Sequence, residues 1–288
     1  ILTGIRKGYS SLPLNENYPL QKSSFYLADK HQFDYPAHTE HFPSLTTDGN
    51  GTVWLAVLER PVPGRYIGVY RIKNEKREQV TTLAPEGITG IGVPSIAPLQ
   101  EGCVVVFSVE QNDRWRIACK FIGNKTDQFI GYQFIETQRG VNIAPSIATI
   151  GELAWVVWES NENGSRGIYA ACCSPGQTEG ITLLSTPGYN SYNPSIAALT
   201  NGKFFAAWDC FRENACDIWG AWFKNGKWQK EQRLSSDRRI ERHPYVAANG
   251  NELWITWEAQ SYGSGRKKRA TNVKTPIQLN YINEQRIV

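Results

Sequence analysis

One tripeptide recurs along this chain at a nearly constant interval, and that interval limits the folds open to it. Pro43-Ser44-Leu45, Pro94-Ser95-Ile96, Pro145-Ser146-Ile147, Pro194-Ser195-Ile196 and Pro244-Tyr245-Val246 follow one another at 51, 51, 49 and 50 residues. After each motif and a short turn comes an apolar run: Val53 to Val57, Cys103 to Phe107, Leu153 to Trp158, Phe204 to Trp208 and Leu253 to Trp257. Ten residues past the first four runs stand Ile67, Ile117, Ile168 and Ile218, each opening a third segment. A weaker, more polar fourth segment follows, as in Lys227-Trp228 through Leu234-Ser235. Four short antiparallel strands in a repeat of this length is the pattern of a β-propeller blade.

No long run carries apolar residues at helical spacing, and the Trp- and Tyr-rich alternating segments between Gly, Asn, Pro and Ser clusters read as strands. The expectation is therefore an all-β chain, a single β-propeller over residues 1–288 with five four-stranded blades. Their inner strands start near 43, 94, 145, 194 and 244; a longer parent chain would allow six. The fifth repeat leaves only Asn283 to Val288 for its outer strand. Residues 1–42 have the opposite surplus, so the Ser23 to Ala28 stretch is expected to supply the outer strand of the last blade and close the ring, removing exposed edges.

Composition excludes several classes. With 41% hydrophobic and 20% charged residues the chain can bury a core and lacks the signature of disorder. No segment reaches the run of about 18 apolar residues that a membrane helix needs, and Ile1 to Lys7 lack the apolar region of a signal peptide. The absence of Met reads as a processed start or an excised fragment. A net charge of +4 is too small to imply nucleic acid, and no basic and aromatic recognition motif is present.

The six cysteines suggest an oxidising compartment. Cys103 and Cys119 stand symmetrically about position 111, and Cys210 and Cys216 about 213, so each pair is expected to face across a hairpin as a disulfide. Cys172-Cys173 could bridge as a vicinal pair or remain as thiols. No cysteine pair has zinc-knuckle spacing. The expected location is extracellular or periplasmic, and the sequons at Asn50, Asn124 and Asn163 permit glycosylation.

A residue repeated in every blade serves the blade, whereas binding needs what one blade has and the others lack. Glu159, Asp209 and Glu258 each follow a strand-ending Trp, so they read as structural hydrogen-bonding groups. The Pro-Ser-Ile serines read as structural too, since no nucleophile elbow surrounds them. The residues before the prolines differ: His41-Phe42, Gly92-Val93, Ile143-Ala144, Tyr192-Asn193 and Arg242-His243. In a propeller these positions and the second-to-third strand loops share one face at the channel mouth. His38, His41 and His243 lie at the entries of blades one and five, accompanied by Glu40, Glu241 and Arg242. Such a cluster can supply a general base with its orienting partners. The three histidines are alternatively ligands for a divalent metal, although no cofactor is required. Otherwise the cluster is a solvated polar rim.

Arg238, Arg239 and Arg242 enter blade five, and Arg266-Lys267-Lys268-Arg269 lies in its second-to-third strand loop. A positive sector there would attract a uronate-bearing or sulfated polysaccharide, with Tyr189, Tyr192 and Tyr262 offering planar faces to sugar rings.

Trp208-Asp209-Cys210-Phe211-Arg212, with Cys216-Asp217-Ile218-Trp219, Asn225-Gly226-Lys227-Trp228 and Leu234-Ser235, resembles the blade repeats of secreted bacterial sialidase-like propellers, over residues 40 to 282. The resemblance implies architecture, because this fold hosts lectins, hydrolases, lyases and interaction modules. The Asp boxes of true sialidases are missing: Thr46-Thr47-Asp48 leading to Trp54 is similar but sits at the wrong turn, and no arginine triad stands out. Arabinanase-type propellers place carboxylates on three inner strands, whereas blades two and three here open with Gly92-Val93 and Ile143-Ala144. Two functions follow as expectations. One is a monomeric ligand-binding or interaction propeller, alone or as a module of a larger protein. It would recognise an acidic glycan, or a protein, through His38, Glu40, Asn193, Arg238, Arg239, Glu241, Tyr262 and Arg266. The other is a polysaccharide lyase or glycoside hydrolase, in which His41 or His243 takes a proton, Arg242 neutralises a uronate and Tyr192 or Tyr189 protonates the leaving oxygen.

Overall fold

The computed structural model describes residues 39–60, 64–73, 76–123, 131–236, 239–261, 277–283 and 286–287, and these contain no helix. The strands fall into five blades that follow the repeat. Blade 1 is β1 (Thr39–Thr47), β2 (Val53–Arg60), β3 (Tyr66–Lys73) and β4 (Lys76–Leu83). Blade 2 is β5 (Ile88–Ile91), β6 (Ser95–Leu99), β7 (Gly102–Gln111), β8 (Arg114–Gly123) and β9 (Gln133–Ile135), with β5 and β6 sharing the inner position against β7. Blade 3 is β10 (Asn142–Ile150), β11 (Leu153–Ser160), β12 (Gly167–Ser174) and β13 (Gln177–Leu183). Blade 4 is β14 (Asn190–Ala198), β15 (Phe204–Arg212), β16 (Ala215–Lys224) and an outer strand split into β17 (Lys227–Trp228) and β18 (Gln232–Arg233). Blade 5 is β19 (Arg239–Asn249), β20 (Glu252–Ser261), β21 (Ile277–Asn283) and β22 (Arg286–Ile287). The fold is thus a multi-blade β-propeller, as the repeat predicts.

Strand parity builds the core. Along β15, Phe205 and Ala207 face blade 5, where they meet Leu253, Ile255 and Trp257. The alternate residues Phe204, Ala206 and Trp208 face blade 3 and meet Trp155, Val157 and Ile168. Shared apolar clusters likewise join blades 1 and 2, through Trp54 and Phe107, and blades 2 and 3, through Val106 and Trp158. Burying both faces of a blade is what turns an alternating strand into a nearly continuous apolar one.

The serines of the repeated tripeptide tie one blade to the next. Ile96 N donates to Ser44 Oγ (3.2 Å), Ile196 N to Ser146 Oγ (3.3 Å) and Val246 N to Ser195 Oγ (3.0 Å). The residue before the proline forms a β-bulge: Phe42, Ala144, Asn193 and His243 all have φ of 52–53°, and the inner-strand register shifts there. A non-glycine residue in this left-handed region is strained. In blade 2 the position is Val93, whose branched Cβ resists positive φ, and the inner strand breaks into β5 and β6 instead.

One sequence expectation changes. The hairpin cysteines are free thiols that point to opposite faces of their sheets. The turns at Asn112-Asp113 and Glu213-Asn214 have two central residues, all at positive φ, which is the primed hairpin geometry. That register places Cys103 opposite Ile122 and Cys119 opposite Val106. It also places Cys210 opposite Asp217 and Phe211 opposite Cys216. Shifting a ladder by an odd number of residues reverses the face, so Cys103 joins the cluster between blades 1 and 2 while Cys119 joins that between blades 2 and 3. At the C-terminal end, β22 stands outside β21, pairing Ile282 with Ile287. The Ser23 to Ala28 stretch expected to close the ring lies outside the described residues.

Candidate functional site

The bulges stand at the starts of the inner strands, beside the ends of the second strands, so they gather on one face as the repeat implies. The carboxylates that follow the strand-ending Trp residues reach across to them. Asn193 N, in blade 4, donates to Glu159 Oε1 of blade 3 (2.8 Å). His243 N, in blade 5, donates to Asp209 Oδ1 of blade 4 (3.1 Å). Asn193 Nδ2 also donates to Asp209 Oδ1 (2.8 Å), so one asparagine links both carboxylates. Arg166 Nη1 pairs with Glu159 Oε2 at 3.0 Å, and His243 Nδ1 lies 3.2 Å from Glu258 Oε2. The result is a continuous chain across three blades: Arg166, Glu159, Asn193, Asp209, His243, Glu258.

Burial divides this chain into a base and a surface. Glu159 and Asp209 are buried, whereas the side chains of His243 and Glu258 are each about half exposed. Burial pushes both the Glu159 and the Asp209 carboxyl above the usual carboxylate range, with their hydrogen bonds opposing the shift. Arg242 is exposed at the same edge, and its hydrogen bond with Cys216 holds its guanidinium above its ordinary value. Tyr192 is half-buried, with the Arg166 guanidinium 5.8 Å from its ring centre.

Of the expected site residues, the structure brings together Tyr192, Asn193, Arg242 and His243. Arg239 is half-buried at the start of β19, opposite Ser261. Glu241 is not on the surface: it is 1% exposed, and Trp257 Nε1 donates to its Oε1 at 2.9 Å. Asn142 does the same for Trp158 in blade 3 (2.8 Å), which marks this as a blade-building position. Glu40 and His41 stand in β1 opposite Glu59 and Leu58. His38, Arg238, Tyr262 and Arg266 lie outside the described residues, so the three-histidine metal reading is not assembled here. Among the described residues no group of three His, Cys, Asp or Glu side chains could hold a metal ion. Tyr189 packs against Arg212, whose guanidinium lies 4.9 Å from its ring centre.

Sequence reasoning passed over Arg166 and the bridging role of Asn193. Glu159 and Asp209 were readable as hydrogen-bonding groups, but their partners belong to the following blade, about 34 residues on. The usable signal was the pairing of a carboxylate after the Trp in one repeat with the residue before the Pro in the next.

No family model matches the chain, and neither does any curated protein. Solved structures do share its fold. An α-L-arabinanase of Penicillium chrysogenum, complexed with arabinobiose, has 12% identity and a TM-score of 0.54, covering 83% of this chain and 81% of that one. An α-L-arabinofuranosidase from Lactobacillus brevis has 14% identity and a TM-score of 0.51, with 85% and 91% covered. An α-L-arabinofuranosidase of Fusarium graminearum, complexed with arabinobiose, has 8% identity and a TM-score of 0.53, with 86% and 81% covered. At such identities the likeness establishes the β-propeller fold. These parallels are an arabinanase and two arabinofuranosidases, not sialidases.

Proposed function

We propose that the bulge-bearing face of blades 3 to 5 binds a glycan, with Tyr192, Asn193, Arg242, His243 and Glu258 as its contact residues. The observation that carries this reading is the hydrogen-bonded chain from Arg166 to Glu258. It fixes polar groups from three blades on one face before any ligand arrives, and such preorganisation lowers the cost of binding. The structural parallels with propellers complexed with arabinobiose support a sugar as the ligand. The acidic character of the glycan rests on exposed Arg242 with Arg239 beside it, joined in sequence by Arg238 and Arg266. We further propose that residues 1–288 form one propeller, a monomer or a module of a larger protein, working outside the cytoplasm and akin to the sialidase-like repeat proteins.

An enzyme at the same place is the second reading, favoured by the His243–Glu258 pair. Glu258 accepting the Nδ1 proton would leave Nε2 as a base, with Arg242 next to it for a uronate carboxylate and Tyr192 as a proton donor.

A glycan array at low and moderate salt tests the first reading. Binding confined to acidic glycans and weakened by salt is expected; silence across neutral and acidic glycans would sink it. Incubation with pectin, alginate and ulvan, followed by ultraviolet absorbance of unsaturated uronates, separates a lyase from a binder.

A further inference from the structure

Blade 4 carries an aromatic residue at its rim that the neighbouring blades lack. Six residues before the second position of the repeated motif stands Tyr189 in blade 4, but Gly140 in blade 3 and Arg239 in blade 5. Blade 3 has no room for a side chain there, since a Cβ on Gly140 would lie 2.0 Å from Ser160 Oγ. In blade 4 the place is rebuilt as a layered stack: the Arg212 guanidinium lies 3.8 Å from the Trp219 ring centre and 4.9 Å from that of Tyr189. Glu231 holds this guanidinium with two bonds, Nη1 to Oε1 at 2.7 Å and Nη2 to Oε2 at 2.8 Å, and the two side chains are only 10% and 4% exposed. Glu231 Oε1 also accepts from Thr186 N (3.1 Å), tying the segment before Tyr189 to the same pair. Glu231 stands in a bulge, because the outer strand takes four residue steps from Trp228 to Gln232 where β16 takes three, from Phe223 to Gly220. A buried ion pair adds little net stability, since desolvation offsets its attraction; what the two-bonded pair supplies is a fixed geometry. The geometry fixed here is that of Tyr189, which is 39% exposed. The segments that flank and support it, residues 160–167, 184–193, 211–219 and 227–233, all lie among the described residues.

We infer that Tyr189 is a stacking subsite for a sugar ring at the rim of the mouth, positioned by the Arg212–Glu231 pair; the inference rests on the glycan-binding reading and extends it outward. The Tyr189 segment is fastened to the blade 3 loop that carries Arg166, the first member of the hydrogen-bonded chain. Gly188 N donates to Ser165 Oγ (3.1 Å), Arg166 N to Asn190 Oδ1 (2.9 Å) and Ser191 N to Arg166 O (2.7 Å). The subsite and the mouth therefore share one frame. Tyr189 precedes Tyr192 by three residues, about 10 Å of extended backbone, and packs on a different arginine, so the two rings serve separate units of an oligosaccharide. With Arg212 packed against it, the exposed part of the Tyr189 ring offers an apolar surface to the CH groups of a sugar. Arg212 and Glu231 neutralise one another, so this subsite takes the ring of an acidic unit and leaves carboxylate recognition to Arg242.

The test measures the affinity of the full chain for polygalacturonate and alginate, and for their monomers and short oligomers, by calorimetry and affinity electrophoresis. Wild type is expected to bind the polymers more tightly than the monomers. Tyr189→Ala should weaken polymer binding about threefold to tenfold and leave monomer binding at the mouth unchanged, while Tyr189→Phe keeps the wild-type affinity. Glu231→Gln should bring the same loss, and adding it to Tyr189→Ala should cost no further affinity, since the pair acts through the ring. Polymer affinity equal to wild type in Tyr189→Ala, with His243→Ala still abolishing binding, would overturn the rim subsite and leave the mouth site standing. A lower melting temperature of Glu231→Gln at unchanged polymer affinity would make the ion pair purely structural and overturn its positioning role. If wild type binds none of these glycans, both readings fall.

Discussion

Replacing Asp209 by alanine tests whether the carboxylates are what position the site. Asp209 is 1% exposed, and its Oδ1 accepts two hydrogen bonds, from His243 N at 3.1 Å and Asn193 Nδ2 at 2.8 Å. Removing the carboxylate strands two donors. A buried donor left unsatisfied costs about 1–3 kcal/mol, but Asn193 is half-buried and can turn its amide toward water, so the backbone N–H of His243 carries most of the penalty. Removing a carboxylate whose burial disfavours its charge returns part of it. The net loss is about 1–3 kcal/mol, or a fall in melting temperature on the order of 2–12 °C for a domain of this size. The variant should still fold, because Ala144 keeps the same bulge with Ser108 at the carboxylate position of the preceding blade. Glycan binding should fall together with stability, since His243 and Asn193 lose their common anchor. Asp209→Asn keeps an oxygen acceptor and should cost less than half as much in both readouts. Calorimetric melting alongside affinity electrophoresis would measure this. A melting temperature within about 1 °C of wild type, with affinity unchanged, would refute the reasoning and leave Pro244 and the strand register alone to place His243.

The remaining expectations concern pH, the bulge histidine His243, the serine ties and the thiols. Burial raises the folded-state pKa of Glu159 and Asp209, so their contribution is fully present below the unfolded value and is lost as pH rises through the folded one. Melting temperature should therefore gain from this pair as pH falls from 7 toward the carboxylate range, and Glu159→Gln should flatten that gain; an unchanged slope would deny the burial effect. His243→Ala should abolish most glycan affinity while moving the melting temperature little; a collapse in stability would make this histidine structural. Ser195→Ala removes the acceptor of Val246 N and should cost about 1 kcal/mol, visible as a lower denaturation midpoint at unchanged slope. Peptide mapping without reductant should find no Cys103–Cys119 or Cys210–Cys216 link, and recovery of either would show that the hairpin register is wrong.

The blades were legible because a tripeptide returning every fifty residues cannot be satisfied by many architectures, and because the strands it introduces alternate correctly on both faces. The disulfides were misjudged by a single feature of the loops. Symmetry about positions 111 and 213 implies odd-numbered turns, while Asn112-Asp113 and Glu213-Asn214 are two-residue turns with both members at positive φ. Asn and Asp tolerate that conformation well, so the sequence carried the clue at the first hairpin, but Glu213 hid it at the second. Glu241 was misplaced for a related reason. Counting back from Pro244 identifies the entry to blade 5 but not strand parity, and parity turns Glu241 toward Trp257 and Arg242 toward solvent. The carboxylate chain escaped notice because each bond joins two different repeats, and self-similarity compares a blade with its copies rather than with its neighbour.

That last point bears on how a repetitive fold acquires a unique face. The rule that repeated residues build and unrepeated residues bind holds for Ser44, Ser146 and Ser195, which only tie blades together. It is incomplete for Glu159 and Asp209, which are scaffold groups that hold two of the proposed contact residues, Asn193 and His243. Each carboxylate fixes the bulge of the following blade, and the bulge residue can then be anything that tolerates positive φ: Asn193 in one case and His243 in the other. Blade 2 shows the arrangement with its parts removed. Leu58 occupies the carboxylate position before it, Val93 replaces the bulge residue, and the inner strand breaks at that point, where Gly92 N turns to Ser108 O at 2.8 Å. The proposed ligand face on blades 3 to 5 lies where a carboxylate in one repeat meets the bulge residue of the next, Glu159 with Asn193 and Asp209 with His243. Moving the site one blade round would require a change in each of two repeats, not one.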